Sequence, residues 1–234
     1  MAAAAHDLWL FAYGSLMWRP GFAYVEARRA RVTGYRRCFC IYSVHHRGTP
    51  ERLGMVLGLD RGGVCEGIAY RVAASKAAET VSYLRARELI NGVYREAHVP
   101  IELEGDTGGA EAESAGEVLA LAFIAERAHP NHAHRLPLAM QARLIRGGRG
   151  VSGANLDYLV STVRHLIELG IRERELERLV AMAGGLAWRR AGGQAVSPYA
   201  AALVRAERSR PAPVRRLARK DELRRFLYRL KLGG

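Results

Sequence analysis

The first half of the chain carries short apolar runs separated by glycine and polar residues, a pattern typical of buried strands. Residues 7–13 (DLWLFAY) form one such run, and Gly14 and Ser15 end it, which predicts a strand entering a tight loop. A second strand is predicted over residues 31–43. The other strands predicted from the same pattern are residues 93–103 and 117–125.

A hairpin is predicted between these strands. Residues 55–59 and 64–72 are mostly apolar and enclose the segment 60–63 (DRGG). Because glycine accepts the positive φ angles that a tight turn requires, the two glycines favour a chain reversal at this point.

Helical periodicity begins at about residue 75. Residues 75–90 predict a helix with Ser75 as its N-cap and Asn91-Gly92 as its stop. The later helices are predicted over residues 135–146, 152–169 and 172–183. Strands first and helices afterwards indicate an α+β fold, which we expect to be a small closed β-barrel with flanking helices.

The net charge of +13 is concentrated at one end of the 234 residues. Residues 186–234 contain 13 Lys or Arg against 3 Asp or Glu, and their composition shifts to Arg, Ala, Gly and Pro. We therefore expect one domain over residues 1–185 and a basic C-terminal extension over residues 186–234, with a short amphipathic helix at 221–231.

This extension leaves two interpretations open. Its arginine clusters can bind nucleic acid or an anionic surface, which would make the chain a regulatory or binding protein acting through residues 186–234. Alternatively, the extension is solvated or docks its apolar stripe on the domain. We favour the second, because nearly all the positive charge is arginine, which indicates a compositional bias of the source genome.

The three cysteines, Cys38, Cys40 and Cys65, are odd in number and lack CxxC spacing, which argues against a disulfide framework and against a zinc site. They are expected to be small core residues in a reducing compartment. The histidines within residues 129–134 lack the spacing of a helical metal site, so no metal is expected. No signal peptide or membrane span is evident, which predicts a cytoplasmic protein.

One acidic residue falls where the helical pattern predicts a buried face. Ala77, Val81, Leu84 and Glu88 are separated by 4, 3 and 4 residues and share one stripe of the helix. Burial raises the pKa of a carboxyl group, which suits a general base. From periodicity alone, an ion pair with a neighbouring arginine or exposure at the helix end is favoured over catalysis.

The loop after the first strand is a second candidate. Tyr13, Gly14, Ser15 and Leu16 offer main-chain N–H groups that can hold a carboxylate or stabilise an oxyanion. Neither GxGxxG nor GxxxxGK[ST] is present, so this is not a phosphate-binding loop. Taken alone, four residues are more typical of an ordinary turn than of a binding loop.

Ordered motifs give a more specific indication. They are FAYGSLMWRP (11–20), HHRGTPERLGMVLGL with VCEGIAYRV (45–59 and 64–72), YLRARELINGVYRE (83–96) and SGANLDYLVSTVRHLIELGI (152–171). Together they resemble the motifs of the ChaC-type, glutathione-specific γ-glutamylcyclotransferases. The resemblance extends from about residue 8 to about residue 183, although the family's Pro-Gly-Arg is not intact after Gly48.

The resemblance implies a γ-glutamylcyclotransferase-like fold and a cofactor-free enzyme acting on a small molecule. Its reaction would be cleavage of glutathione, or of a related γ-glutamyl peptide, by cyclisation to 5-oxoproline and cysteinylglycine. The catalytic glutamate of the family falls on Glu88. The candidate substrate-binding residues that the resemblance implies are Tyr13, Gly14, Ser15, Leu16, Tyr94 and Arg47.

Overall fold

A computed structural model describes residues 6–105 and 116–184, which form two compact units. The barrel unit comprises the described residues of Met1–Tyr42, Val56–His134 and Arg164–Arg172. The helical unit comprises those of Ser43–Met55, Arg135–Val163 and Glu173–Gly234. The predicted basic extension over residues 186–234, with its helix at 221–231, lies outside the described residues.

Strands precede most of the helices, as the sequence predicts. The strands are β1 (Leu8–Ala12), β2 (Glu26–Ser43), β3 (Gly54–Val72), β4 (Tyr94–Leu103), β5 (Glu117–Ala125), β6 (Arg149–Gly150) and β7 (Gly153–Ala154). The helices are α1 (Ala74–Glu88), α2 (Leu138–Gly147), α3 (Asn155–Glu168) and α4 (Arg174–Gly184), and a 3₁₀ turn spans Ser15–Met17. None of the helices in the described part of the chain has the length and apolar character needed to cross a membrane.

The first five strands close into a barrel in the order β1-β3-β2-β4-β5. β1 closes it by pairing antiparallel with β3 and parallel with β5. β4 and β5 pair antiparallel from Tyr94 opposite Ala125 to Glu102 opposite Glu117. Because closure leaves no free sheet edge, five strands suffice for a compact sheet. The prediction of an α+β fold built on a closed barrel is confirmed.

The barrel interior is filled by alternate residues of its strands, as the two-residue period of a strand requires. In β5 these are Ala120, Ala122 and Ile124, and in β4 they include Val99 and Ile101. All three cysteines are free and buried, which confirms that they are core residues.

The hairpin predicted at residues 60–63 is wrong. β3 continues as one strand through Gly62 and Gly63, whose φ angles are 95° and 88°. Glycines with positive φ inside a strand bend it without ending its pairing. Asp60, just before them, is 2% exposed and lies 3.4 Å from Arg127 through its Oδ1, whereas residues 61–64 are exposed on the continuing strand.

The start of α1 differs from the prediction. The helix begins at Ala74, so Ser75 lies inside its first turn, and the N-cap residue Ala73 makes no side-chain capping bond. The Oδ1 of Asp7 accepts the N–H of Ala74 at 3.0 Å instead. A carboxylate at this end satisfies a free amide and complements the positive end of the helix dipole.

The three later helices are confirmed, with shifted boundaries. α3 begins three residues later than predicted, because Gly153–Ala154 pairs with Arg149–Gly150 as a small antiparallel ladder. In the helical unit, α2 and α4 are joined by Arg146, whose Nε donates to the carbonyl of Ala183 at 3.0 Å.

Asn155 fixes the start of α3 within the helical unit. Its Oδ1 accepts the N–H of Met55 at 2.6 Å, and its Nδ2 donates to the carbonyl of Met55 at 2.7 Å. Asn155 is fully buried, and this one side chain hydrogen-bonds to both main-chain groups of Met55 away from water.

Replacing Asn155 with alanine should lower the free energy of unfolding by about 3 kcal/mol, because it leaves buried donors and acceptors unpaired. Urea denaturation measures the change. The control Asp157→Asn alters an exposed residue of the same helix and should cost less than about 1 kcal/mol. Equal effects of the two variants would contradict the role of Asn155.

Candidate functional site

The chain turns into a short helical loop immediately after β1. The N–H of Met17 donates to Gly14 O at 2.9 Å, and the N–H of Arg19 donates to Ser15 O at 2.9 Å. Amides that open a helical turn have no partner inside the turn. The N–H groups of Ser15 and Leu16 stand at this opening, which gives the loop main-chain donors at the end of β1.

Tyr70 of β3 holds the carbonyl side of the loop. Its hydroxyl donates to Met17 O at 2.8 Å and lies 3.3 Å from Leu16 O. Burial raises the pKa of Tyr70 to about 12, so this hydroxyl stays protonated and remains a donor at neutral pH. The side chain of Leu16 is itself buried, so only its main chain is placed to meet a ligand.

Arg37 of β2 fixes the first peptide group of the loop. Its Nε donates to Tyr13 O at 2.5 Å, and its Nη2 donates to Glu66 O. The described residues contain no cis peptide bond. Because the C=O and N–H of a trans peptide point in opposite directions, the N–H of Gly14 is directed away from the buried Arg37.

Glu88 is the last residue of α1 and shares a face with the buried residues Thr80 and Leu84. Its side chain is 20% exposed, which places it at the edge of the buried stripe that the periodicity predicted. Burial raises the pKa of Glu88 above its ordinary value, and the guanidinium of Arg87 offsets part of that rise.

Arg87 joins Glu88 to the loop. Its Nε lies 3.0 Å from Glu88 Oε1, and its Nη2 donates to Ser15 Oγ at 2.9 Å. Nη1 donates to Arg19 O at 3.0 Å and to the hydroxyl of Tyr83 at 3.1 Å. One planar cation therefore holds the carboxylate on one side and the serine hydroxyl on another.

Two candidate tyrosines direct their hydroxyls at main-chain carbonyls. Tyr13 donates to Phe123 O at 2.7 Å, and Tyr94 donates to Leu57 O at 2.6 Å. A Cβ built on Gly14 would lie 3.9 Å from Leu57 Cδ1, so Tyr94 and the loop adjoin the same residue of β3. The structure thus brings Tyr94 to the loop region, and its role towards a substrate stays a prediction.

Arg47 lies in the helical unit, where it binds main chain. Its Nη1 donates to Ser152 O at 2.5 Å and to Ala154 O at 3.3 Å, and its guanidinium carbon lies 5.0 Å from the centre of the Tyr158 ring. These contacts tie the segment before β3 to the start of α3. A part of Arg47 in substrate binding stays a prediction.

The arrangement around Glu88 suits proton transfer at a carbonyl centre. A carboxyl group of raised pKa accepts and returns protons effectively at neutral pH. Main-chain N–H groups that are fixed in advance stabilise an oxyanion without reorganising during the reaction. Arg87 contacts both Glu88 and the side chain of Ser15, which belongs to the loop that carries these N–H groups.

The model of the family described as ChaC-like protein matches residues 8–185. This chain belongs to the ChaC-like family. It is 32% identical over 174 residues to the Escherichia coli K12 protein named glutathione-specific γ-glutamylcyclotransferase. The aligned residues cover 74% of this chain and 71% of that relative. The Rattus norvegicus glutathione-specific γ-glutamylcyclotransferase 1 is 34% identical over 183 residues, with 76% and 79% covered.

A solved structure shares the fold of this ChaC-like protein. The γ-glutamylcyclotransferase specific to glutathione from yeast superposes with a TM-score of 0.68 at 21% sequence identity. The match covers 76% of this chain and 96% of that one. This likeness confirms the expected γ-glutamylcyclotransferase-like fold.

Sequence reasoning missed two residues that shape the loop, Arg37 and Tyr70. Both donate to main-chain carbonyls of the loop, and Arg37 also donates to Glu66 O. The available signal was weak: an arginine directly before the apolar run CFCIY, and a tyrosine inside an apolar strand. For Arg87 the sequence suggested an ion pair with Glu88, but not the bond to Ser15, which lies 72 positions away.

Changing Tyr70 to phenylalanine keeps the ring and removes the donor to Met17 O. We expect a loss of about 1 kcal/mol in the free energy of unfolding and faster hydrogen exchange at the Met17 and Arg19 amides, measured by NMR. The control Tyr35→Phe alters a partly buried tyrosine of the barrel unit and should leave exchange in the loop unchanged. Unchanged exchange in Tyr70→Phe would show that Tyr70 does not hold the loop.

Proposed function

We propose that this ChaC-like protein is a γ-glutamylcyclotransferase that cleaves glutathione, or a related γ-glutamyl peptide, to 5-oxoproline and cysteinylglycine. The observation that carries the proposal is the largely buried Glu88 of raised pKa, joined through Arg87 to the loop after β1. The curated relatives named glutathione-specific γ-glutamylcyclotransferases support the choice of substrate.

The first step of the proposed reaction is loss of a proton from the substrate. The α-amine of the glutamyl group is protonated at neutral pH and cannot attack until it is neutral. Glu88 takes this proton, because a carboxylate of raised pKa is a suitable base for an ammonium group held beside it. The substrate itself supplies proximity, since amine and γ-carbonyl belong to one molecule.

The second step closes the ring. The neutral amine forms a bond to the γ-carbon, and the carbonyl oxygen gains charge that the amides of Gly14, Ser15 and Leu16 stabilise. The carbonyl then re-forms as the bond from the γ-carbon to the leaving nitrogen breaks, and that nitrogen receives the proton held by Glu88. The freed carboxylate takes the second proton from the ring nitrogen and passes it to the released amine. The products are a five-membered lactam and a free amine, and the reaction uses only groups of the substrate and the protein.

We also propose a cytoplasmic location and a division into a catalytic domain over residues 1–185 and an extension over 186–234. The three free, buried cysteines support a reducing compartment. The extent of the family match, residues 8–185, supports the boundary.

The Glu88→Gln variant should retain the fold and lose about two to four orders of magnitude in 5-oxoproline formation from glutathione. The matched control is Glu79→Gln, which changes an exposed glutamate of the same helix that pairs with Lys76. Release of 5-oxoproline is measured by chromatography, with γ-glutamyl dipeptides tested in parallel. A fully active Glu88→Gln enzyme would remove Glu88 from the mechanism.

The pH dependence of kcat/KM should reflect the ionisation of Glu88. Only the deprotonated carboxylate acts as a base, so kcat/KM falls as pH decreases through the pKa of Glu88. Because burial raises that pKa, the acid limb should lie above the value of about 4.3 for an unperturbed glutamate. A profile of kcat/KM against pH with its acid limb at the unperturbed value would be inconsistent with a largely buried base.

A further inference from the structure

The donors of Arg87 are mostly directed at protein groups. A guanidinium has five N–H donors. Nε faces Glu88, Nη1 donates to Arg19 O and the Tyr83 hydroxyl, and one N–H of Nη2 goes to Ser15. At most one N–H of Nη2 is left for a ligand, so Arg87 is built to hold protein groups rather than to bind a substrate.

These contacts set the roles of the two groups that Arg87 touches. The oxygen of Ser15 accepts a hydrogen bond from Nη2, so the hydroxyl proton of Ser15 is directed elsewhere and can donate to a ligand. On Glu88, Arg87 contacts Oε1, so proton exchange with a bound amine falls to Oε2.

We propose that Arg87 is a positioning residue that holds the Glu88 carboxylate and the Ser15 hydroxyl in one frame, so that base and donor face the same bound group. This inference rests on the proposed function of Glu88 and deepens it. The frame is stiff because Nη1 also anchors the guanidinium to Arg19 O and to the hydroxyl of Tyr83.

The planar shape of arginine is essential to this role. The guanidinium presents separate nitrogens to Glu88 and to Ser15, whereas the ammonium of a lysine is a single point charge. An Arg87→Lys variant therefore keeps the positive charge and loses the bridge, and Arg87→Gln loses both. Comparing the two separates geometry from charge.

Steady-state kinetics on glutathione test the proposal. We expect both Arg87→Lys and Arg87→Gln to lower kcat on the order of 100-fold with a smaller change in KM, the effect of a misplaced catalytic group. The control Arg85→Gln removes an exposed arginine of the same helix that pairs with Glu96, and its kcat should stay within about 2-fold of wild type. An Arg87→Lys enzyme with wild-type kcat would overturn the proposal.

A double-mutant cycle tests the link to Ser15. If Arg87 acts partly through the Ser15 hydroxyl, the Ser15→Ala/Arg87→Gln double variant should lose less activity than the product of the two single losses. Losses that multiply independently would show that Arg87 does not act through Ser15.

An NMR titration tests the frame without relying on activity. The NMR signal of the side-chain carboxyl carbon of Glu88 is assigned by its absence from the spectrum of Glu88→Gln. Its chemical shift is then followed against pH in wild type and in Arg87→Gln. The pKa of Glu88 should be higher in Arg87→Gln, because Arg87 favours the charged carboxylate. An unchanged pKa of Glu88 would contradict the positioning role of Arg87. A wild-type enzyme that releases no 5-oxoproline would instead contradict the proposed function, and the titration result would still stand.

Discussion

The proposed chemistry depends on the balance between dehydration and charge at Glu88. Burial at the end of α1 removes water from the carboxylate and raises its pKa, while Arg87, with its Nε 3.0 Å from Oε1, pulls that pKa down. Without the arginine, the carboxyl would hold its proton more tightly and act poorly as a base. With full exposure to water, it would behave as an ordinary surface acid.

The position of Arg87, and with it the pKa of Glu88, depends on other elements of the barrel unit. Arg87 reaches the loop after β1, and that loop is held independently by Arg37 from β2 and Tyr70 from β3. Three barrel strands and α1 therefore meet at this loop. A loop fixed from several elements can present N–H donors in a constant direction, which is what stabilising an oxyanion requires.

Local periodicity was sufficient to predict most of the strands and helices and the face of α1 that carries Glu88, because these follow from the spacing of apolar residues. It failed where two structures share one local pattern. Gly62 and Gly63 have the positive φ angles of a turn, yet they bend a continuous strand. Ser75 looks like a cap, yet the carboxylate of Asp7, 67 positions away, takes that place.

The contacts that assemble the candidate site could not be predicted from the sequence for a similar reason. Arg37, Tyr70 and Arg87 bind partners that lie far from them in the chain, and several of those partners are main-chain carbonyls without a sequence signature. Ordered motifs located the loop and the glutamate. Only the fold shows how one is joined to the other.

The most direct test is a crystal structure of the Glu88→Gln variant with glutathione, the proposed substrate, bound. The account predicts the substrate α-amine within hydrogen-bond reach of the side chain at position 88, at about 2.6–3.2 Å, and the γ-carbonyl oxygen facing the amides of the loop at residues 14–16. A bound glutathione whose amine lies away from position 88, with its γ-carbonyl turned from that loop, would contradict it.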